Sequence, residues 1–149
     1  MISDILLNFG NYLTTSAGFS TVFYNKIPEK GHLLKFPYAE IIIEDTQYPL
    51  QANFGSSDPA RSSINFKAYF DNPYENGTSA NMVLRTQKET SIYQMFYDIN
   101  FLNALPNVNN DFIVIENIIP TTSIHTDING ITNNLILVDY RFDILWRVV

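Results

Sequence analysis

The sequence predicts an α+β fold, with a mostly antiparallel β-sheet and two helices packed on one of its faces. One observation is the C-terminal run LILVDYRFDILWRVV. Ile136, Val138, Tyr140, Phe142, Ile144, Trp146 and Val148 line one face of it, while Asp139, Arg141, Asp143 and Arg147 line the other, interrupted only by Leu145. Strict alternation of this kind belongs to an antiparallel sheet covered on one side. The other observation is a pair of segments with helical spacing, one before and one within a series of strands, giving the order α-β-β-β-α-β-β.

At the start, Ile5, Leu6, Phe9, Tyr12 and Leu13 form one helical stripe, with Ser3 as N-cap and Gly18 closing the segment. A short strand, Thr21 to Ile27, comes next and is ended by Pro28 and Gly31. In AEIIIEDTQ, Ala39, Ile41 and Ile43 point one way and Glu40, Ile42 and Glu44 the other. SINFKAYF places Ile64, Phe66, Ala68 and Phe70 opposite Asn65, Lys67, Tyr69 and Asp71. In TSIYQMFYDINFLNAL, Ile92, Met95, Phe96, Ile99 and Leu102 predict the second helix, with Thr90 as N-cap and Pro106 beyond its end. The stretch from Asn81 to Glu89 is either a solvated first part of that helix or a separate piece. FIVIENII reads as a strand, and Asn129-Gly130 as the turn of a tight hairpin into the final strand. Two connections are long for a small domain: Tyr48 to Ser63, and Asp71 to Ala80.

With 149 residues, 46% of them apolar and 14% aromatic, the chain (residues 1–149) is expected to be a single domain with a full core. Folding at this length buries roughly 70% of the unfolded surface. Cysteine is absent, which excludes disulfides, thiolate metal sites and cysteine nucleophiles. A net charge of −6 disfavours a protein that grips phosphates. The N-terminal MISDILLNFGNYL has Asp4 and no basic residue, so no signal peptide is expected, and no apolar run reaches the ~18 residues of a membrane span. The sequon Asn76-Gly77-Thr78 reads as a turn.

No catalytic, metal or cofactor site is evident in the sequence. His32 and His125 are the only histidines, and both read as exposed polar residues. Glu40 and Glu44 lie on one strand face roughly 13 Å apart, too far for acid/base work on one bond. No glycine-rich phosphate loop or nucleophile elbow occurs. Phe96, Phe101, Phe142 and Trp146 are assigned to the core. Tyr38, Tyr48, Phe54 and Tyr74 sit in or beside loops, where a ring must find a groove in its own fold or a partner.

In order and pattern, nearly the whole chain resembles the tail terminator proteins of long-tailed bacteriophages, also called tail completion or head–tail joining proteins. The resemblance rests on the N-terminal helix, the strand AEIIIEDTQ with its loop and SINFKAYFDN leading through a linker into an amphipathic helix. A loop with Asp and Gly and the final VDYRFDILWR complete it. The linker from Asp71 to Thr90 is longer than that pattern calls for. The resemblance implies a structural virion protein, assembled in the host cytoplasm, and not an enzyme. It implies a ring of six copies that caps the tail tube and meets the neck or head completion protein. DNA would pass through the ring without specific binding, with no cofactor and no membrane involved. Competing readings are another neck, tail-tube or baseplate-linked protein, or a small-ligand-binding domain or enzyme without a recognisable motif. Candidate contacts with other subunits or rings are Tyr48, Phe54, Arg61, Tyr74, Asp139, Arg141 and Asp143. Among these, the Tyr48–Ser63 loop is expected to act as an assembly arm, because it joins strands that a few residues could join.

Overall fold

The computed structural model describes residues 2–26, 34–48, 59–107, 110–128 and 131–148. Helix α1 spans Ile2–Thr15, and strands β1 (Thr21–Tyr24), β2 (Tyr38–Gln47) and β3 (Ala60–Asp71) come after it. Helices α2 (Ser79–Met95) and α3 (Ile99–Ala104) precede strands β4 (Asn110–Ile128) and β5 (Ile131–Val148). The expected order holds, with one more helix. The strands form a five-stranded sheet in the order β1-β2-β3-β5-β4. All pairings are antiparallel except β1 with β2, which is parallel.

The helices cover one face of the sheet, and the core between them is rich in rings. Ile5, Leu6, Phe9 and Leu13 of α1 meet Ile64, Phe66, Phe142 and Ile144 in one buried cluster, joined by Ile92, Met95, Phe96 and Phe101. Phe9 sits 5.2 Å from Phe66, 5.3 Å from Phe101 and 6.0 Å from Phe142, in tilted and edge-on contacts that rings favour. The alternation in β5 is realised as read: Phe142 and Trp146 are buried under the helix layer, while Asp139, Arg141 and Asp143 fall on the opposite side. Gly10 lets α1 approach β1, since a Cβ there would stand 1.9 Å from the Tyr24 hydroxyl. After the helix, Gly18 takes φ +79°, the left-handed geometry expected of a residue that closes a helix.

Several local expectations need correction. The second helix starts at Ser79, so the stretch from Asn81 to Glu89 is its first part, one of the two readings left open, and Thr90 is not its cap. Thr78 is the actual cap, its hydroxyl accepting from Asn81 N at 3.2 Å. What reads as one helix through Leu102 is two, because Asp98 offers its own carboxylate to Asn100 N at 2.8 Å and restarts the chain as α3. Ile99, part of the apolar stripe, is consequently exposed. The first helix begins at Ile2, so Ser3 lies within its first turn. Strand β1 stops at Tyr24, where Asn25 (φ +63°) turns the chain and accepts from Ile43 N through its side chain. The Tyr48–Ser63 connection is shorter than expected: Ala60 to Ser63 belong to β3, so Arg61 is a strand residue opposite Gln47 and Leu145. Ile128 pairs with Ile131, leaving two residues for the turn; Asn129 and Gly130 themselves lie outside the described residues, as does His32.

Strand β2 carries a bulge between Ile43 and Asp45. Before it, Ala39 and Ile41 face the helices; after it, Thr46 does, with its hydroxyl 2.9 Å from that of Ser62. Buried Ser62 in turn accepts from Trp146 Nε1 at 3.0 Å. The indole N–H, which would be costly to bury alone, is thereby satisfied inside the core.

Candidate functional site: the open face of the sheet

The face away from the helices is built from rows of residues that strand register places side by side. Tyr38, Tyr69 and Leu137 make the first row, Glu40, Lys67 and Asp139 the second, and Ile42, Asn65 and Arg141 the third. Beyond the β2 bulge come Ser63, Asp143 and Glu116. This face changes character from one end to the other.

At the first row the face is apolar. Tyr38 stacks on Tyr69 with ring centroids 4.7 Å apart and on Phe36 at 5.5 Å. Together with Leu135 these rings form a second small core, packed by Leu34 and Phe23. Tyr38 thus finds its groove within its own fold. Burial pushes the Tyr69 hydroxyl far above the ordinary tyrosine range, and nearby Glu40 adds to it.

In the next row two carboxylates flank one ammonium. Glu40 is only 7% exposed, and burial raises its carboxyl while Lys67 pulls it back down. Burial likewise raises Asp139, against the pull of Lys67 and Arg141, and Glu44 raises it further. The Asp139 Oδ1 and Asn65 Oδ1 atoms are buried without a hydrogen-bond donor among the described residues. For a carboxyl whose folded value is raised, folding favours the protonated form, so its stabilisation is present at low pH and lost as pH rises through the folded value. Glu40→Gln is therefore expected to raise the melting temperature at neutral pH, with the gain shrinking as pH falls through the carboxylate range. A lower melting temperature at neutral pH would mean that attraction to Lys67 outweighs the cost of burial.

Further along, the charges satisfy one another. The Arg61 guanidinium donates to Glu116 and, at 3.1 Å, to Asp143. Asp143 also accepts from Ser63 Oγ at 2.9 Å and Asn117 Nδ2 at 2.9 Å. Burial raises the Asp143 carboxyl, but the bonds from Asn117, Ser63 and Arg61 outweigh it and leave the group below its usual range. The network spans β3, β5 and β4 where β4 is irregular, between Glu116 and Ile119, with Asn117 at φ +54°. Solvent screens the exposed Arg61 guanidinium, so pairs of this kind add little net stability. Their effect is to hold the bulge and fix the charge pattern, more than to stabilise the fold.

The structure therefore brings Arg61 and Asp143 into contact and places Asp139 and Arg141 on the same face. Tyr48 is exposed just past β2, at the end of the sheet where Arg61 lies, its ring 6.2 Å from that of Trp146. Tyr74 is exposed beyond the other end of β3, in the link to α2, and is not part of this group. Phe54 and most of its loop lie outside the described residues. Sequence alone does not single out Glu116, Asn117 or Ser63. Only the pairing of three strands distant in the chain reveals them.

On the helix side, an open cleft of about 430 Å³ is lined by Tyr12, Phe19, Phe70, Lys88 and Asp98, with the Lys88 ammonium 4.9 Å over the Phe70 ring. A second, of about 650 Å³, runs along α2 past Met82, Val83 and Thr86. No group of three or more potential metal ligands occurs among the described residues, and no described helix is long and apolar enough to cross a membrane. The sequence matches no protein-family model and no curated protein.

Proposed function

We propose that this chain is a structural protein of the phage tail terminator type, which closes into a sixfold ring, caps the tail tube and presents a surface to the neck. The observation that carries the reading is a sheet whose one face is filled by helices while the other, packed over only at its Tyr38–Tyr69 end, bears charges of both signs and exposes Arg141. Exposed charges of this kind contribute little to folding but select partners and fix register between copies. Arg141, exposed and central on that face, is the residue assigned to a neighbouring subunit, with Asp139 and Asp143 beside it. The further partners are the tube protein and the neck or head completion protein, and the location is the virion.

The test is mass in solution together with capping. The parent protein should scatter light as a closed ring and stop tube polymerisation. Arg141→Glu should fall apart into smaller species while melting within a few degrees of the parent, at a cost of about 1 kcal/mol or less. Equal loss of assembly and stability would remove Arg141 from the interface. A parent that stays monomeric and leaves tubes uncapped sinks the ring reading, and one that grows open filaments is a tube component instead.

A further inference from the structure

We propose that Asn76 is a site of spontaneous covalent modification, a succinimide-forming loss of its side-chain amide, and that the change loosens the start of α2. The inference does not depend on the ring reading. Asn76-Gly77 forms the centre of a turn whose flanking residues are tied together, Thr78 N and Thr78 Oγ1 both donating to Glu75 O, at 3.4 and 2.8 Å. Gly77 is exposed and stands at φ +83° with nothing within 4 Å of where a Cβ would be, so no side chain of its own crowds the approach to the preceding residue. Asn76 is exposed, so water reaches it. These are the conditions in which a backbone nitrogen attacks the preceding side chain.

The atoms balance with water as the only co-reactant. Gly77 N attacks Asn76 Cγ, an N–C bond forms, the Cγ–Nδ2 bond breaks, and ammonia leaves with the proton from Gly77 N. Water then opens the five-membered ring at either carbonyl, giving aspartate or, with the backbone rerouted through the side chain, isoaspartate. Negative charge develops on Asn76 Oδ1 during the attack. That oxygen already accepts from Asn72 Nδ2 at 3.0 Å, a donor placed as an oxyanion partner would be.

The structural effect of the reaction is set by what Asn72 holds. Its side-chain oxygen accepts from Tyr74 N at 3.3 Å and from Asn81 Nδ2 at 3.1 Å, and both Asn72 and Asn81 are almost fully buried. Within α2 the buried residues are Asn81, near its start, and Ile92 and Met95 near its end. The first half of the helix is thus held by Leu84 against the core and by this buried polar contact, which reaches back to the turn. The aspartate product keeps the backbone path and puts a negative charge near a helix N-terminus, which tolerates it. The isoaspartate product lengthens the backbone inside the turn and moves the oxygen that Asn72 grips.

The full chain, incubated at mildly alkaline pH, should be sampled over time by peptide mass mapping and by methyl transfer from an isoaspartyl methyltransferase. Deamidation at Asn76 should run about tenfold or more faster than at Asn11, Asn100 and Asn103, exposed asparagines on helices, because among these four only Asn76 precedes a glycine in a turn. Asn76→Gln should abolish the modification at this position. Backbone hydrogen exchange over residues 79–86 should rise in the isoaspartate fraction and stay at the parent level in Asn76→Asp. A rate at Asn76 no higher than at the helical asparagines overturns the site. Modification without any change in exchange overturns the loosening of α2.

Discussion

Replacing Phe142 by Ala is expected to destabilise the protein by about 3–5 kcal/mol, enough to lower the melting temperature by roughly ten degrees. Phe142 is 2% exposed and packs between α1 and the end of α2, with ring centroids 4.8 Å from Phe96 and 6.0 Å from Phe9. Truncation there removes apolar burial and leaves a cavity between α1, α2 and β5 that ring neighbours cannot collapse to fill. Thermal melting or denaturant titration of the purified variant measures the loss. Melting like the parent would mean that the helices do not press on this part of the sheet.

Asn72→Ala is expected to cost about 1–3 kcal/mol although it removes no apolar contact. The reason is what it strands. Asn81, 1% exposed, would keep a buried amide with its acceptor gone, and Tyr74 N would lose its partner. A double-mutant cycle with Asn81→Ala separates this from a packing effect: if the two side chains act as a pair, the double variant should lose clearly less than the sum of the singles. Strict additivity would show that the contact is incidental.

Much of this fold is legible in the sequence because its strongest signals are periodic and local. The alternation in β5 announces its two faces within one segment, and α1 declares its stripe in Ile5, Phe9 and Leu13. The features that escape local reading arise from competition or from pairing. Asp98 caps a new helix in the middle of an apolar pattern that reads as continuous, since periodicity does not register a side chain outcompeting the backbone. Thr78 is hidden because the first half of α2 has almost no apolar stripe to mark it as helical, and only Asn81 is buried there. The open face is legible in β5 alone. That Asp143 meets Arg61, Ser63 and Asn117, that Glu40 faces Lys67, and that Glu40 is buried depend on register between strands remote in the chain. No local pattern carries that information.

The bulge in β2 has a consequence for which changes of chain length this protein can accept. Glu44, whose carboxylate accepts from Asn65 Nδ2 at 3.4 Å, has no opposite residue in the strand pairing between Ile43, opposite Ile64, and Asp45, opposite Ser63. It is therefore spare length. Deleting Glu44 would leave a regular strand in which Ile43 and Asp45 keep their present partners and Thr46 still turns inward toward Ser62. Strand β3 has no such slack, because every residue from Ala60 to Asp71 is paired in unbroken register with β5. Side chains alternate with a period of two, so deleting Lys67 would force one half of β3 to turn over. Either Ile64 and Phe66 or Ala68 and Phe70 would then leave the core. Two edits of the same size, on neighbouring strands, would thus end differently, one absorbed by the bulge and the other refused by the sheet.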